Sequence, residues 1–180
     1  MKGIFWGFLL IFINFYVTIN GHTLNLLPTF AGYILLYRAA GELLGESGRF
    51  GKLRPFAVAV AIYTGILWVG DLLGVTGANW LSTLAALAVA LYISWSVIQA
   101  ILEMETHYGT DLNGTSARTA WFVLLAAQIA GTLGGLLLDA LALMALIALL
   151  VGIIWFLAAL WKCAGLYDGL PPKDAGLENL

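Results

Sequence analysis

The chain has 180 residues, 62% hydrophobic and 10% charged, a net charge of −2 and a mean hydropathy of +0.95. A soluble domain carries about 25% charged residues, so this composition argues against a water-soluble globule and for a surface that mostly meets lipid. No basic stripe or nucleic-acid motif is present, which argues against nucleic-acid binding, and a single cysteine, Cys163, rules out an intramolecular disulfide and argues against a cysteine-based zinc site.

Lys2 and the apolar run from Ile4 to Val17 resemble the first two regions of a signal peptide. Asn14, Phe15, Tyr16, Asn20 and His22 are bulky or polar where a cleavage site requires small residues, so the run is expected to persist as a first span over residues 3–19. Asn20-Gly21 marks a turn. Asn25 can cap a second span over 26–44, where Pro28 is tolerated in the first turn because backbone donors there lack helical partners. A polar loop follows, with Arg49, Lys52 and Arg54, and Pro55 opens a third span over 55–73. A glycine-bearing turn leads to a fourth span over 79–102. The longest polar loop comes next, and Thr115 or Ser116 can cap a fifth span over 117–135. Asp139 sits at the start of a sixth span over 138–161, and residues 162–180, with Pro171-Pro172, read as a flexible tail. A span needs about 20 apolar residues, so six of them leave no room for a separate soluble domain. The halves show no sequence self-similarity that would mark an inverted repeat.

The charges orient these spans. Basic residues stay in the cytoplasm when loops are short. With the N-terminus inside, Lys2, Arg49, Lys52, Arg54, Arg118, Lys162 and Lys173 all fall on the inner side. Arg38 lies in the inner half of the second span, where its stem can snorkel to the interface. Trp6, Trp121 and Trp161 fall near the inner boundary, and Tyr16, Trp68 and Trp80 near the outer one, the depths amphipathic rings prefer. The expected fold is an all-α bundle of six transmembrane helices in one domain, residues 1–161, with both termini cytoplasmic.

Arg38 and Glu42 lie four apart and share a helix face; they read either as an interfacial ion pair or as a substrate, headgroup or proton site. Asn14, Gln99 and Gln128 are neutral polar residues within spans, suited to interhelical hydrogen bonds or to lining a solute path. On the outer side, His22, Asp71 and Asp139 have the chemistry to bind a cation or sense pH, against a simpler reading as turn, headgroup-zone and cap residues. In the fifth span, Ala127, Gly131 and Gly135 form one row of small residues and Ala126, Ala130 and Gly134 another; Ala57, Ala61 and Gly65 make a similar row in the third. Such rows serve internal packing or self-association. Glu103 and His107 would share a face if the fourth helix continued, without matching the zincin pattern. No Walker loop, dinucleotide fingerprint, nucleophile elbow or paired-histidine zinc motif occurs, so no catalytic residue, metal or cofactor is assigned.

Asn14, Asn20-Gly21-His22-Thr23, Leu26-Leu27-Pro28 and Gly32-Tyr33-Ile34-Leu35 together resemble an uncharacterised group of small multi-pass membrane proteins of Gram-positive bacteria, over residues 14–44. The resemblance implies a bacterial cytoplasmic membrane and supplies no activity. The expected role is an accessory, sensory or assembly component acting through helix contacts, with the lipid bilayer and a membrane protein or a second copy as partners. The alternatives are a small transporter or channel and, less favoured, an intramembrane enzyme.

Overall fold

The structure, a computed structural model, describes residues 1–13, 16–19, 22–25, 28–73, 80–137 and 139–170. Six helices lie among them: α1 Lys2–Phe12, α2 Thr29–Glu42, α3 Gly48–Leu72, α4 Trp80–Tyr108, α5 Gly114–Leu137 and α6 Asp139–Asp168. Between α1 and α2 run two short antiparallel strands, β1 Tyr16–Ile19 and β2 His22–Asn25. Among the described residues, α3, α4 and α6 are long and apolar enough to cross a membrane by length and composition.

The expected first span and the observed elements differ. α1 ends at Phe12, and Ile13 is extended at φ −85° and ψ 102°. Tyr16-Val17-Thr18-Ile19 then forms a strand, because β-branched and aromatic side chains favour extended backbone. The register pairs Ile19 with His22 and so brackets Asn-Gly, the dipeptide preferred for two-residue hairpin connections. β2 packs against α3. Other boundaries shift for local reasons. α3 starts seven residues before Pro55 because Ser47 caps it, accepting a hydrogen bond from the Arg49 N–H at 3.2 Å. α4 runs through Glu103 to Tyr108 and stops where Gly109 takes φ +62°, with the Thr110 N–H donating to the Glu105 carbonyl at 3.3 Å. α6 continues past Trp161 to Asp168, so the first residues of the expected tail are helical.

Consecutive helices run antiparallel. Gly7 faces Gly32, Gly41 faces Arg54, and Gly131 faces Ala145. Trp121 Nε1 donates to Ser94 Oγ at 2.9 Å across α5 and α4. α6 returns to α1, where Phe156 lies edge-on to Phe8 at 5.3 Å and Lys2 pairs with Asp168 at 2.8 Å. The described ends of the chain therefore meet at one end of the bundle, which also holds the loops at 43–47 and 109–113. Among the described residues, this end holds much of the core: Leu43, Phe50, Leu53, Ile101, Met104, Leu112 and Cys163 are all buried. Away from it the helices turn their side chains outward. Ile62, Ile66 and Leu72 of α3, and Leu143, Met144, Ile147, Val151 and Ile154 of α6, are exposed, Met144 to 68%. Leaving a large aliphatic side chain in water forgoes about 1.5–3 kcal/mol each, and so many on the outward faces of two helices mark lipid or protein contact surfaces.

Candidate functional site

Two features stand out: a polar cap at the basic end and an apolar cavity within the bundle. In the cap, Ser47 donates to Glu103 Oε2 at 2.6 Å, and Arg49 Nε pairs with Glu103 Oε1. One carboxylate thus joins the N-cap of α3 to the last turns of α4. Tyr108 donates to Glu46 Oε2 at 2.7 Å. Glu105 reaches forward and accepts the backbone N–H groups of Leu112 at 2.9 Å and Gly114 at 2.6 Å. It thereby satisfies donors at the start of α5, where the helix dipole favours negative charge. Asn113, at φ 70°, donates from Nδ2 to the Ala159 carbonyl at 3.4 Å, and Cys163 Sγ donates to the Leu112 carbonyl at 2.6 Å. Each of these carboxylates is engaged by a hydrogen-bond donor, so the cap ties loops to helices.

The cavity has a volume of about 120 Å³ and lies between α1, α2, α4, α5 and α6. Phe8, Phe12, Leu87, Leu91, Leu124, Leu149 and Phe156 line it, with Tyr33, Ser94, Trp121 and Gln128 as the side chains that carry polar atoms. Ser94 also donates back to the Ala90 carbonyl at 2.9 Å and accepts from Trp121, so its hydroxyl is satisfied locally. The lining suits apolar matter.

The residues singled out from sequence are dispersed. Arg38 and Glu42 are both exposed on α2, whose buried face is Gly32, Tyr33, Leu36, Ala39 and Ala40. They form no ion pair; among the described residues the ion pairs are Lys2–Asp168 and Arg49–Glu103. Gln99 is half-buried in α4, and Gln128 is exposed, bordering both the cavity and an open cleft beside Gly131 and Thr132. Asn14 lies outside the described residues. Asp71 is exposed near the end of α3, His22 belongs to β2, and Asp139 opens α6; the side chains of His22 and Asp139 lie outside the described residues. Among the described residues no three His, Cys, Asp or Glu side chains converge as metal ligands. His107 is exposed with its ring edge-on to Tyr108, while Glu103 is held by Ser47 and Arg49. In α5, Ala127 is buried and a Cβ on Gly131 would lie 3.6 Å from that of Ala145 in α6. Gly135 continues the helix, and its exposure lies outside what is described. The parallel row is mixed: Ala126 and Ala130 are exposed and Gly134 is buried.

Sequence reasoning missed the tight approach of α1 and α2. A Cβ on Gly7 would sit 2.7 Å from Leu36 Cγ, one on Gly32 2.6 Å from the Gly7 carbonyl oxygen, and one on Gly3 2.7 Å from Ala39 Cβ. The Gly3-x-x-x-Gly7 spacing was the available signal. Comparison of the chain with protein-family models, curated proteins and solved structures finds no match.

Proposed function

We propose that the chain is a multi-pass protein of the bacterial cytoplasmic membrane that acts without catalysis, as an accessory, sensory or assembly component working through helix contacts. Its six passes would place both termini and the loops at 45–54 and 103–118 in the cytoplasm. The observation that carries this reading is the distribution of polarity. Polar side chains tie to one another at the basic end, while α3 and α6 present aliphatic side chains outward along the rest of their length. α1 alone covers about 16 Å at 1.5 Å per residue, roughly half of a hydrocarbon core of about 30 Å. The four residues of β1 add about 13 Å, so helix and strand together match the thickness. Backbone donors in lipid must be satisfied by protein, which fits the pairing of β1 with β2 and the packing of β2 on α3. The dispersal of Arg38, Glu42, Gln99 and Gln128 supports a contact role over transport.

Sidedness is tested with single cysteines. Cys163 is buried and its thiol donates a hydrogen bond to the Leu112 carbonyl, so it is a poor reporter and is first replaced by Ala. Asp71→Cys and Thr110→Cys then place thiols at exposed positions near opposite ends. An impermeant maleimide should label the first in intact cells and the second only in inverted vesicles; the reverse pattern overturns the orientation. Crosslinking in native membranes should capture one specific partner or a second copy, and clean recovery of a lone monomer sinks the assembly role.

A further inference from the structure

Among the described residues, Arg54 is a cation held in place without an ion-pair partner. Its guanidinium carbon lies 4.3 Å from the centroid of the Tyr37 ring. A Cβ on Gly41, one turn along α2, would meet the guanidinium at 3.7 Å. The group is therefore laid flat along α2 in ordinary contact. Its Nε is buried without an acceptor, and Arg54 takes part in neither of the ion pairs found among the described residues. A guanidinium carries five donors in a rigid fork and matches phosphate oxygens better than an ammonium does. Stacking on an aromatic face fixes its orientation while leaving the charge uncompensated.

The surface beside it is apolar. A groove of about 210 Å³ runs between α2 and α3, lined by Tyr33, Ile34, Tyr37, Val58, Ala61 and Ile62. Tyr37 belongs to both features. On α3, positions 54, 58, 61 and 62 follow the spacing of a single helix face, and on α2 positions 41, 37, 34 and 33 do the same. Arg54 and Ile62 stand eight positions apart on α3, about 12 Å of rise, so cation and groove form one continuous amphipathic strip. Arg54 is also the last charged residue before the apolar stretch of α3, with the next at Asp71, which sets it at headgroup depth.

We propose that this strip is a binding site for one anionic phospholipid, with the terminal nitrogens of Arg54 holding the phosphate and the α2–α3 groove holding an acyl chain. Charge complementarity selects the headgroup and the groove selects the chain. The inference rests on the membrane reading above but not on its sidedness: binding in micelles reads the site whichever way it faces, and cysteine labelling reads the orientation.

The chain purified in a non-ionic detergent is titrated with phosphatidylglycerol, glycerol phosphate and diacylglycerol, and bound lipid is counted by native mass spectrometry. One phosphatidylglycerol should be retained, and both the headgroup without chains and the chains without headgroup should bind at least about tenfold more weakly. Arg54→Gln should weaken the lipid by a similar factor. Lys52→Gln, which removes the same charge from an exposed position, should leave binding unchanged. Ile62→Trp fills the groove from an exposed position and should weaken binding independently, which decides the matter if Arg54→Gln fails to fold. Unchanged binding in Arg54→Gln or Ile62→Trp, an equal loss in Lys52→Gln, or glycerol phosphate or diacylglycerol binding as tightly as the whole lipid would each overturn the site.

Discussion

Gly32 sets how closely α1 and α2 approach. The atoms that a Cβ there would meet include the Gly7 carbonyl oxygen at 2.6 Å and the Ile11 backbone nitrogen at 3.1 Å. Backbone cannot swing aside as a side-chain tip can, so Gly32→Ala must push the helices apart. Overpacking of this kind costs about 1–3 kcal/mol, and the thermal midpoint in detergent should fall. Gly65→Ala is the comparison. Its nearest neighbours are atoms of Phe30 at 3.8–3.9 Å, an ordinary contact, and the alanine narrows the unfolded ensemble by about 0.4–1 kcal/mol. Its midpoint should hold or rise, and equal losses in both variants would show that the α1–α2 contact is not special. At this scale the sequence was a partial guide. The row containing Gly65 could be read from its spacing, yet Gly32 has no periodic small partner on its own helix. Its importance comes from Gly7, across a connection of unknown geometry at the sequence level. Glu103 and Glu105 illustrate the same limit, since two residues of one type and near-equal position take different partners, one on α3 and the other at the start of α5.

The elements were legible where composition decides them and illegible where partners do. Polar loops and glycine-bearing turns located the breaks between helices to within a turn or so at most boundaries. The Ser47 cap was not recognised, because Pro55 is the louder signal and a capping serine is common in loops. The strand at Tyr16–Ile19 carries its own β-branched pattern, hidden inside an apolar run that also satisfies a helix. The two small rows of α5 were equivalent on paper and are separated by packing alone. Ala127 is buried and Ala130 exposed. Ala127→Leu should therefore force α5 off α6 and lower stability by about 1–3 kcal/mol. Ala130→Leu should leave the midpoint of the monomer unchanged, and a reduced crosslinked dimer in that variant alone would assign the exposed Ala126–Ala130 part of its row to self-association. Matching midpoints for the two variants would mean that the rows do not divide the labour in this way.

The described residues are packed unevenly, and stability should follow the packing more than the hydrophobicity. Phe156 is fully buried, edge-on to Phe8 at 5.3 Å and 87° and to Phe12 at 6.1 Å and 89°. Ile66, on the outward face of α3, is 66% exposed. In a water-soluble core Phe→Ala costs about 3–5 kcal/mol, part of it transfer of the ring out of water. In a bilayer the unfolded reference already sits in hydrocarbon, so that part vanishes and the lost contacts and the cavity remain. Phe156→Ala should then cost about 2–3 kcal/mol, below the soluble range. Ile66→Ala should cost almost nothing, because its side chain exchanges one lipid contact for another. Steric trapping or denaturant titration in bicelles measures both. A loss in the full soluble range at Phe156 together with a comparable loss at Ile66 would mean that both side chains leave water on folding, and the reading of α3 as a lipid-facing helix would fall with it.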